Sequence, residues 1–507
     1  MKEFLKKNGA RALILIIISC AFLWYGRCKA GFFIDEIYTY GLSNSHFAPY
    51  LLDNTDGPME DEILSREELI SYVTVDEGEE LDFASVYSNQ EADVHPPLYY
   101  FFFNAFSSLF GRSFSKWTGL CLNWIFLLGS LLLLSRLCRE LELGNLQEYA
   151  VLLMYGLSSA GISCAVLIRM YMLLSLETLL LSLFALRLIR SGEMKYALLS
   201  GLAILSGMLT QYYFVFYAFF LSLLVCILLL KEKKLKLCSV FAASALGGVL
   251  LAVIAFPASL KHIFVGNGQV VSAGNALENL SDFRNYFTRL LTFSKFAGSG
   301  LKAAVIVAAA ALVYLALTRR LRFEKEIVCI TLAALLAFVT AALVSPVMEE
   351  RYVYNLMPLF VLFAGWLLSL LNLGPLLLAG IFALSLAFTG CDVDYIRPET
   401  AEAVELVSEL SDCPAVYITD DKFAPLTSDF DQLILFPEIY VTCDPASEQL
   451  LEYVEGSDEV LLYIDVNSLW SSGYDPDEIL NELFAAGDFS SARLLLENSL
   501  SRLYLVS

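Results

Sequence analysis

The chain has 507 residues, of which 57% are hydrophobic and 17% charged, and its formal net charge is −21. A soluble domain of this length cannot bury so large an apolar fraction, so the composition excludes a soluble globular protein and indicates a polytopic membrane protein. Residues 31–96 hold 16 acidic and one basic residue, and residues 392–507 hold 25 acidic and four basic residues. The rest is basic, with 13 acidic and 28 basic residues. Because short cytoplasmic loops retain Lys and Arg, both acidic regions are predicted to be external.

The first hydrophobic segment follows four basic residues and runs from Leu13 to Leu23. A cleaved signal peptide has this pattern too, but "WYGRCKAGFF" lacks a small-residue cleavage site. We therefore predict a retained signal anchor with its N-terminus inside.

Windows of about 20 residues predict roughly a dozen membrane spans, so we expect an α-helical bundle of about 11–13 spans. The segments are 10–27, 97–111, 116–135, 148–166, 168–189, 195–210, 211–230, 238–257, 298–317, 327–345, 353–371 and 374–391. The basic loops at 187–195, 231–236 and 319–325 are predicted to be cytoplasmic. Counting spans forward from an inside N-terminus puts residues 136–148 outside, whereas counting back from the loop at 187–195 puts them inside. One span between 97 and 190 is therefore missed or superfluous, and 97–111 is the shortest candidate.

The C-terminal region changes character after residue 392. Short β-rich runs at 415–420, 433–441 and 460–466 alternate with helical stretches such as 477–487. This pattern predicts a small external α/β domain at 393–507, after a membrane domain at 1–392 that includes the external loop 31–96.

Polar residues mark both ends of the loop 31–96. "GFFIDEIYTYG" places Asp35 and Glu36 directly after the first span, and "EADVHPPLYYFFFN" places Asp93 and His95 before an apolar helix start. Paired acids after an anchor are also common as a solvated flank, and His95 before two prolines also suits an ordinary helix start. We nevertheless expect these four side chains to be neighbours at one membrane surface.

Two arginines lie in apolar surroundings at the predicted external rim. Arg169 lies in "AVLIRMYMLL" and Arg351 in "EERYVYNLMP". A cation among apolar residues is costly and usually marks a function, although snorkelling to headgroups is the alternative. Carboxylates, a histidine and arginines together suit sugar transfer from a lipid phosphate. A carboxylate takes the acceptor's proton, and arginines stabilise the departing phosphate.

The motifs "IDE", "HPPLYY", "IRMYMLL", "LTQYYF" and "ERYVYNLMP", in this order over residues 10–392, resemble the bacterial glycosyltransferase C superfamily. That group contains the protein O-mannosyltransferases of family 39 and the aminoarabinose transferase that modifies lipid A. The resemblance implies an inverting transfer from a polyprenyl-phosphate-linked sugar at the external face of the bacterial plasma membrane.

The resemblance also implies roles for individual residues. Asp35 matches the family's base or acceptor-positioning aspartate, with Glu36 as its partner. His95, Arg169, Arg351 and Tyr352 match the donor-phosphate site. "LTQYYF" has Gln211 where relatives carry histidine. The remaining substrate-pocket candidates are Tyr38, Asp93, Tyr99, Gln211 and Tyr212.

A divalent metal ion is an open alternative, because Asp35, Glu36, Asp93 and His95 offer oxygen and nitrogen ligands. The chain has three histidines, which argues against a dedicated His-rich zinc site. The acceptor is a glycan, a lipid or a protein, and no nucleic-acid partner is expected because a dense negative field disfavours anionic partners.

Two other classes of function stay open. A lipid-linked glycan transporter or scramblase predicts charged residues near the bilayer midplane on several spans. A membrane anchor that presents the acidic domain to a partner leaves the positions of Arg169 and Arg351 at helix ends unexplained.

Overall fold

The structure is a computed structural model that describes residues 2–507 except 53–60, 266–272, 296–297, 320–323, 372–379, 381–392, 421–423, 468–472 and 488. Its helices, in chain order, are α1 Lys2–Cys28, α2 Ile34–Asn44, α3 Arg66–Val73, α4 Phe83–Ala92, α5 Leu98–Ser107, α6 Lys116–Glu140, α7 Asn145–Gly156, α8 Ser159–Val166, α9 Tyr171–Ser191, α10 Met194–Thr210, α11 Phe214–Lys231, α12 Leu235–Ala255, α13 Ala258–Phe264, α14 Ala273–Ser281, α15 Tyr286–Lys295, α16 Gly298–Leu317, α17 Lys325–Val344, α18 Met357–Ser369, α19 Pro398–Ser408, α20 Ala424–Ser428, α21 Phe430–Leu433, α22 Glu448–Tyr453 and α23 Pro476–Ala486. A 3₁₀ helix at Glu350–Leu356 precedes α18.

Seven helices in the described part of the chain are long and apolar enough to cross a membrane: Gly9–Cys28, Lys116–Glu140, Tyr171–Ser191, Phe214–Lys231, Leu235–Ala255, Lys325–Val344 and Glu350–Ser369. The pair α7 and α8, bent by 54°, is an eighth candidate, and Met194–Thr210 and Ile306–Leu317 are shorter apolar helices. These elements coincide with ten of the twelve predicted segments. The predicted segment 374–391 lies outside the described residues, apart from residue 380.

The predicted span at 97–111 is wrong. Its helix, α5, has only ten residues, which amounts to about 15 Å of helix, half the thickness of a hydrocarbon core. Tyr100 and Phe103 on α5 are fully buried in the protein. Without this segment, counting spans forward from an inside N-terminus and counting back from the basic loop at 187–195 both put residues 136–148 inside. The spans α6, α7–α8 and α9 then follow one another in alternating order.

The chain forms two compact units. The first comprises Met1–Arg27, Asp93–Tyr99 and Gly119–Asp394. Polar contacts join several of its helices. The Arg11 guanidinium on α1 binds both carboxylate oxygens of the buried Glu148 on α7, at 2.6 and 2.7 Å. Glu177 on α9 accepts hydrogen bonds from Ser206 and Thr210 on α10. Such contacts are specific because lipid offers no competing partner.

The second unit comprises Cys28–Ala92, Tyr100–Thr118 and Tyr395–Ser507. Its six-stranded sheet has the order β1-β3-β2-β4-β6-β5. The strands are β1 Glu62–Ser65, β2 Ala415–Ile418, β3 Glu438–Thr442, β4 Val460–Asp465, β5 Ala492–Glu497 and β6 Ser501–Val506. β2 runs parallel to β3 and β4, whereas β1, β6 and β5 pair antiparallel with their neighbours. The predicted α/β character of the C-terminal region is confirmed, although the run at 433–441 is a strand only from Glu438.

The first external loop contributes one edge strand to this sheet. Glu62 to Ser65 pair with Val441 to Glu438. Beside this edge, Asp61 accepts hydrogen bonds from the hydroxyl groups of Tyr440, Thr442 and Ser447. Contacts therefore group residues 31–92 with the C-terminal region, whereas the sequence analysis placed loop 31–96 in the domain 1–392.

Candidate active site

Asp35 lies in the first turn of α2, in the second unit, and its side chain is half-buried. The backbone N–H groups of a first turn point along the helix axis towards its N-terminus, which stabilises a carboxylate there. Phe33 is the N-cap residue in extended conformation, and the Thr39 hydroxyl bonds the Asp35 carbonyl at 3.0 Å. Asp35 is thus an accessible acid on an ordered helix end. Tyr38, one turn later, is also half-buried.

Glu36, adjacent to Asp35, has a structural environment. Its side chain is fully buried, with one oxygen 2.8 Å from the equally buried Lys29 ammonium. The same oxygen accepts the Phe33 backbone N–H at 2.7 Å. A buried ion pair with hydrogen bonds to the remaining groups fixes local conformation. This geometry gives Glu36 the role of holding the start of α2, and it does not favour the expected partnership with Asp35 in catalysis.

Asp93, His95 and Arg169 form a chain of hydrogen bonds in the first unit. Asp93 Oδ2 lies 2.7 Å from His95 Nδ1, and His95 Nε2 lies 3.3 Å from Arg169 Nη2. A guanidinium has only donors, so Nε2 accepts and the ring hydrogen is on Nδ1, which donates to Asp93. Burial alone would raise the pKa of Asp93, but interactions with His95 and Arg169 outweigh it and hold that pKa below its usual range.

This arrangement changes the expected role of His95. Asp93 bonds one ring nitrogen of His95 and Arg169 bonds the other, so His95 orients Arg169. The motif had predicted that His95 binds the donor phosphate. Arg169 is buried in the turn between α8 and α9. Asn123 supports the same turn, donating to the carbonyl of Leu167 at 2.6 Å. Tyr99, expected in the substrate pocket, is fully buried and donates to Asn123 at 3.1 Å. Its position is structural.

Arg351 and Tyr352 lie together on the 3₁₀ helix of the first unit. The Arg351 guanidinium lies 5.7 Å from the centre of the Tyr352 ring, within cation–π range. Tyr352 in turn stacks on Tyr213, with ring centres 4.8 Å apart and planes 8° apart. Two adjacent residues and the distant Tyr213 therefore make one aromatic and cationic cluster, of which Tyr213 was not predicted.

The "LTQYYF" turn meets a histidine that no motif identified. Tyr212 Oη lies 2.9 Å from His262 Nδ1, and His262 is buried. Gln211 is buried at the end of α10, where its backbone N–H bonds Gly207. His262 is the fifth residue of α13. The only sequence signal for it is that histidine is rare in this chain.

Two further polar residues of the first unit were missed. Arg289 on α15 is buried and donates to the carbonyls of Ala342 and Ser345, which cap the end of α17. Asp394 accepts hydrogen bonds from Ser163 and Tyr354, both at 3.4 Å. A lone Arg in an apolar amphipathic stretch, as in "FTRLLTF", is the signal that could have identified Arg289.

The expected metal ligands do not form a metal site. Among the described residues, no group of three or more His, Cys, Asp or Glu side chains could hold a metal ion. Lys29 engages Glu36, and the guanidinium of Arg169 faces His95 Nε2, where a metal would have to bind. A cation beside Glu36 and another beside His95 disfavour a divalent ion at these two side chains.

Comparison with known proteins identifies the fold. No model of a known protein family and no curated protein sequence matches the chain. Two solved structures match over 98% of this chain and 98% of theirs. ArnT from Cupriavidus metallidurans bound to undecaprenyl phosphate is 10% identical with a TM-score of 0.57, and its apo state is 9% identical with a TM-score of 0.50. The chain thus has the fold of these two ArnT structures, and the predicted fold class is confirmed.

Proposed function

We propose that the protein is a membrane glycosyltransferase that moves a sugar from a polyprenyl-phosphate donor to an acceptor hydroxyl. The observation that carries the proposal is the buried Arg169, oriented by the Asp93–His95 pair, on a fold that is similar to ArnT over nearly the whole chain. The ArnT structure contains undecaprenyl phosphate. A buried, pre-oriented guanidinium suits the phosphate oxygens of such a lipid.

In the proposed reaction, the Asp35 carboxylate takes the proton of the acceptor hydroxyl as its oxygen attacks the anomeric carbon. The new carbon–oxygen bond forms while the bond between that carbon and the phosphate oxygen breaks, and its electron pair stays on the phosphate. Arg169 stabilises this departing charge, and Arg351 is a second candidate for the same role. A single displacement inverts the anomeric configuration.

The donor sugar and the acceptor are open: a hexose or a pentose, and a glycan, a lipid or a protein. We propose the bacterial plasma membrane as the location, with the site and the C-terminal region external. The basic loops at 187–195, 231–236 and 319–325 support this orientation. A phosphatase reporter fused after Ser507 should be active only outside the cytoplasm, and an inactive phosphatase with an intact fusion would reverse the orientation.

The direct test replaces Asp35 by Asn in the purified full chain. The assay supplies undecaprenyl-phosphate-linked mannose, glucose and aminoarabinose with cell-envelope acceptors, and it follows the release of undecaprenyl phosphate. We expect D35N to lower kcat by about 100-fold or more, because a missing general base costs about 10²–10⁴-fold. The matched control is E77Q, an exposed acid of the same unit, which should behave as wild type.

Folding controls make the result interpretable. D35N should bind undecaprenyl phosphate in native mass spectrometry and unfold at the wild-type temperature. Turnover by D35N near the wild-type rate would remove Asp35 as the base. Failure of the wild-type protein to release undecaprenyl phosphate from any of the donors would argue against this donor class.

A further inference from the structure

The segment from Lys29 to Phe33, which leads into the Asp35 helix, is held by the C-terminal region of the second unit. The Ala30 backbone N–H donates to the Ile396 carbonyl at 2.8 Å. The Phe32 backbone N–H donates to the Asp431 carboxylate at 2.9 Å. Backbone hydrogen bonds at two alternate positions fix the path of a short extended segment, because each residue has only two free dihedral angles.

Lys29 extends this attachment. Its ammonium donates to the Tyr395 carbonyl at 2.6 Å while it pairs with Glu36. One buried cation therefore connects the C-terminal region to the capping carboxylate of α2. The first turn of α2, which contains Asp35, begins directly after this point.

Close packing leaves the segment little freedom. A Cβ atom added to Gly31 would lie 2.4 Å from Thr400, so only glycine fits there. The Phe32 ring stacks on Phe114 with centres 4.7 Å apart, and Phe114 meets Phe430 edge to face. The segment therefore packs against Thr400 of α19 and, through Phe114, against Phe430 at the start of α21.

The segment 395–397, which accepts the bonds from Lys29 and Ala30, has a strained backbone. Tyr395 and Arg397 have φ values of 65° and 54°, a backbone region that non-glycine residues seldom adopt. Such strain persists only where surrounding contacts determine the conformation. Here those contacts are the bonds from Lys29 and Ala30 and the edge-to-face packing of Phe33 on Tyr395 at 5.3 Å.

We propose that the C-terminal region positions the Asp35 carboxylate, with Asp431 as the positioning residue that fixes the backbone at Phe32. The inference rests on the proposed function, in which Asp35 is the base. It gives the C-terminal region a part in turnover through α2. Asp431 touches neither sugar nor phosphate in this account.

The environment of Asp431 supplies a pH readout. Burial, together with the negative charge of Glu36, raises the pKa of Asp431 to about 6, although the hydrogen bond from Phe32 and the positive charges of Lys29 and Arg397 lower it. The charged groups around it are Lys29, Glu36, Arg397, Lys116 and, at the N-terminus of α21, Asp429. Protonation weakens the bond to Phe32, because a bond to a neutral acceptor is about half as strong as one to a carboxylate.

The test uses Asp431→Asn in the full chain, with D458N, an exposed acid of the same region, as the matched control. Hydrogen–deuterium exchange of the peptide covering residues 28–40 should be about tenfold faster in D431N and unchanged in D458N. With undecaprenyl-phosphate-linked mannose, glucose and aminoarabinose as donors, kcat should fall by about 10- to 100-fold at unchanged KM, because misplacement of a base by about 1 Å costs this much. The fall of wild-type kcat below pH 6 should disappear in D431N.

A merely structural role predicts a different result. Since the folded-state pKa is raised, ionised Asp431 costs stability as pH rises through about 4 to 6, so D431N should unfold at or above the wild-type temperature at pH 7.5. Loss of kcat together with a large loss of stability, recovered fully at lower temperature, would overturn the proposal. So would wild-type exchange in residues 28–40.

The two proposals fail separately. If D35N stays active, the proposed base is wrong, and the exchange experiment on D431N still decides whether Asp431 fixes this segment. If D35N is inactive while D431N equals wild type in kcat and in exchange, the base stands and the positioning role of Asp431 is wrong.

Discussion

His95 Nε2 accepts a hydrogen bond from Arg169 Nη2 at 3.3 Å, in the first unit of the protein. The pair joins residues 74 positions apart in the sequence. Asp93 completes it from the opposite side of the ring at 2.7 Å. Arg169 is thereby oriented by the Asp93–His95 pair, and a guanidinium matches the oxygens of a phosphate.

Asp93→Asn should disorganise this chain of hydrogen bonds. The Asn amide can donate to Nδ1, which moves the ring hydrogen to Nε2, where it faces the donors of Arg169. We expect kcat/KM for the polyprenyl-phosphate donor to fall about 10- to 100-fold, the loss of one hydrogen bond to a charged group. Release of undecaprenyl phosphate measures it. His46→Gln, in the exposed His46–Asp82 pair, is the control and should leave turnover unchanged. Equal turnover in D93N and wild type would show that the tautomer does not matter.

Arg11→Ala should destabilise the first unit. Glu148 has no exposed side-chain surface, and Arg11 binds both of its oxygens. Removing one member of such a pair costs about 3–5 kcal/mol, whereas replacing both by apolar or neutral groups is close to neutral. Thermal unfolding in detergent should therefore show a large loss in R11A and recovery in the double variant R11M/E148Q. A double variant as unstable as R11A would mean that the pair itself stabilises the fold.

We expect the Glu177→Gln variant to be more stable than the Glu177→Ala variant. Gln keeps an oxygen acceptor for the hydroxyls of Ser206 and Thr210, whereas Ala removes that acceptor, at a cost of about 1–3 kcal/mol. Unfolding temperature measures the difference, with S244A as the control, since the Ser244 hydroxyl bonds only its own helix turn at Val240. We also expect E177Q to release undecaprenyl phosphate normally. A folded but inactive E177Q would instead give the Glu177 carboxyl group a part in turnover.

The attachment of β1 should weaken in acid. Burial by itself would raise the pKa of Asp61, but the hydroxyl groups of Thr442, Tyr440 and Ser447 outweigh it and lower the pKa below its usual value near 3.8. A depressed pKa means that Asp61 contributes stability above about pH 4 and loses this contribution as pH falls through the folded-state value. Exchange at residues 61–65 should accelerate below pH 4 in the wild type. In D61N it should be fast at pH 7 already and depend little on pH. Identical profiles in both proteins would contradict the assignment.

Much of the fold followed from local chemistry. Apolar runs of about 20 residues predicted ten of the described membrane elements, and the strands β2 and β4 lie within predicted runs. The error at 97–111 arose because an apolar helix buried in protein has the same composition as one buried in lipid. Tyr100 and Phe103 of this helix belong to the second unit and are fully buried in the protein.

The candidate site divides in the same way. The sequence alone identified Asp35, Asp93, His95 and Arg169, since an ionisable group beside an apolar span is costly and therefore informative. It could not distinguish Asp35 from Glu36, two adjacent acids. Helix geometry turns them about 100° apart, so one is half-exposed and the other meets Lys29. Nor could it find the partners of Tyr212 and Tyr352.

By itself, the sequence predicted a multi-pass membrane protein with two acidic regions, and it showed which motifs carry charge. Hydrophobicity and charge are summed along a few neighbouring residues, so they can be read locally. Only the tertiary structure showed that His95 accepts a hydrogen bond from Arg169 and that Glu36 pairs with Lys29. It also showed that the Phe32 backbone N–H bonds Asp431, 399 residues away. Those pairings depend on packing between distant segments, which no local pattern contains.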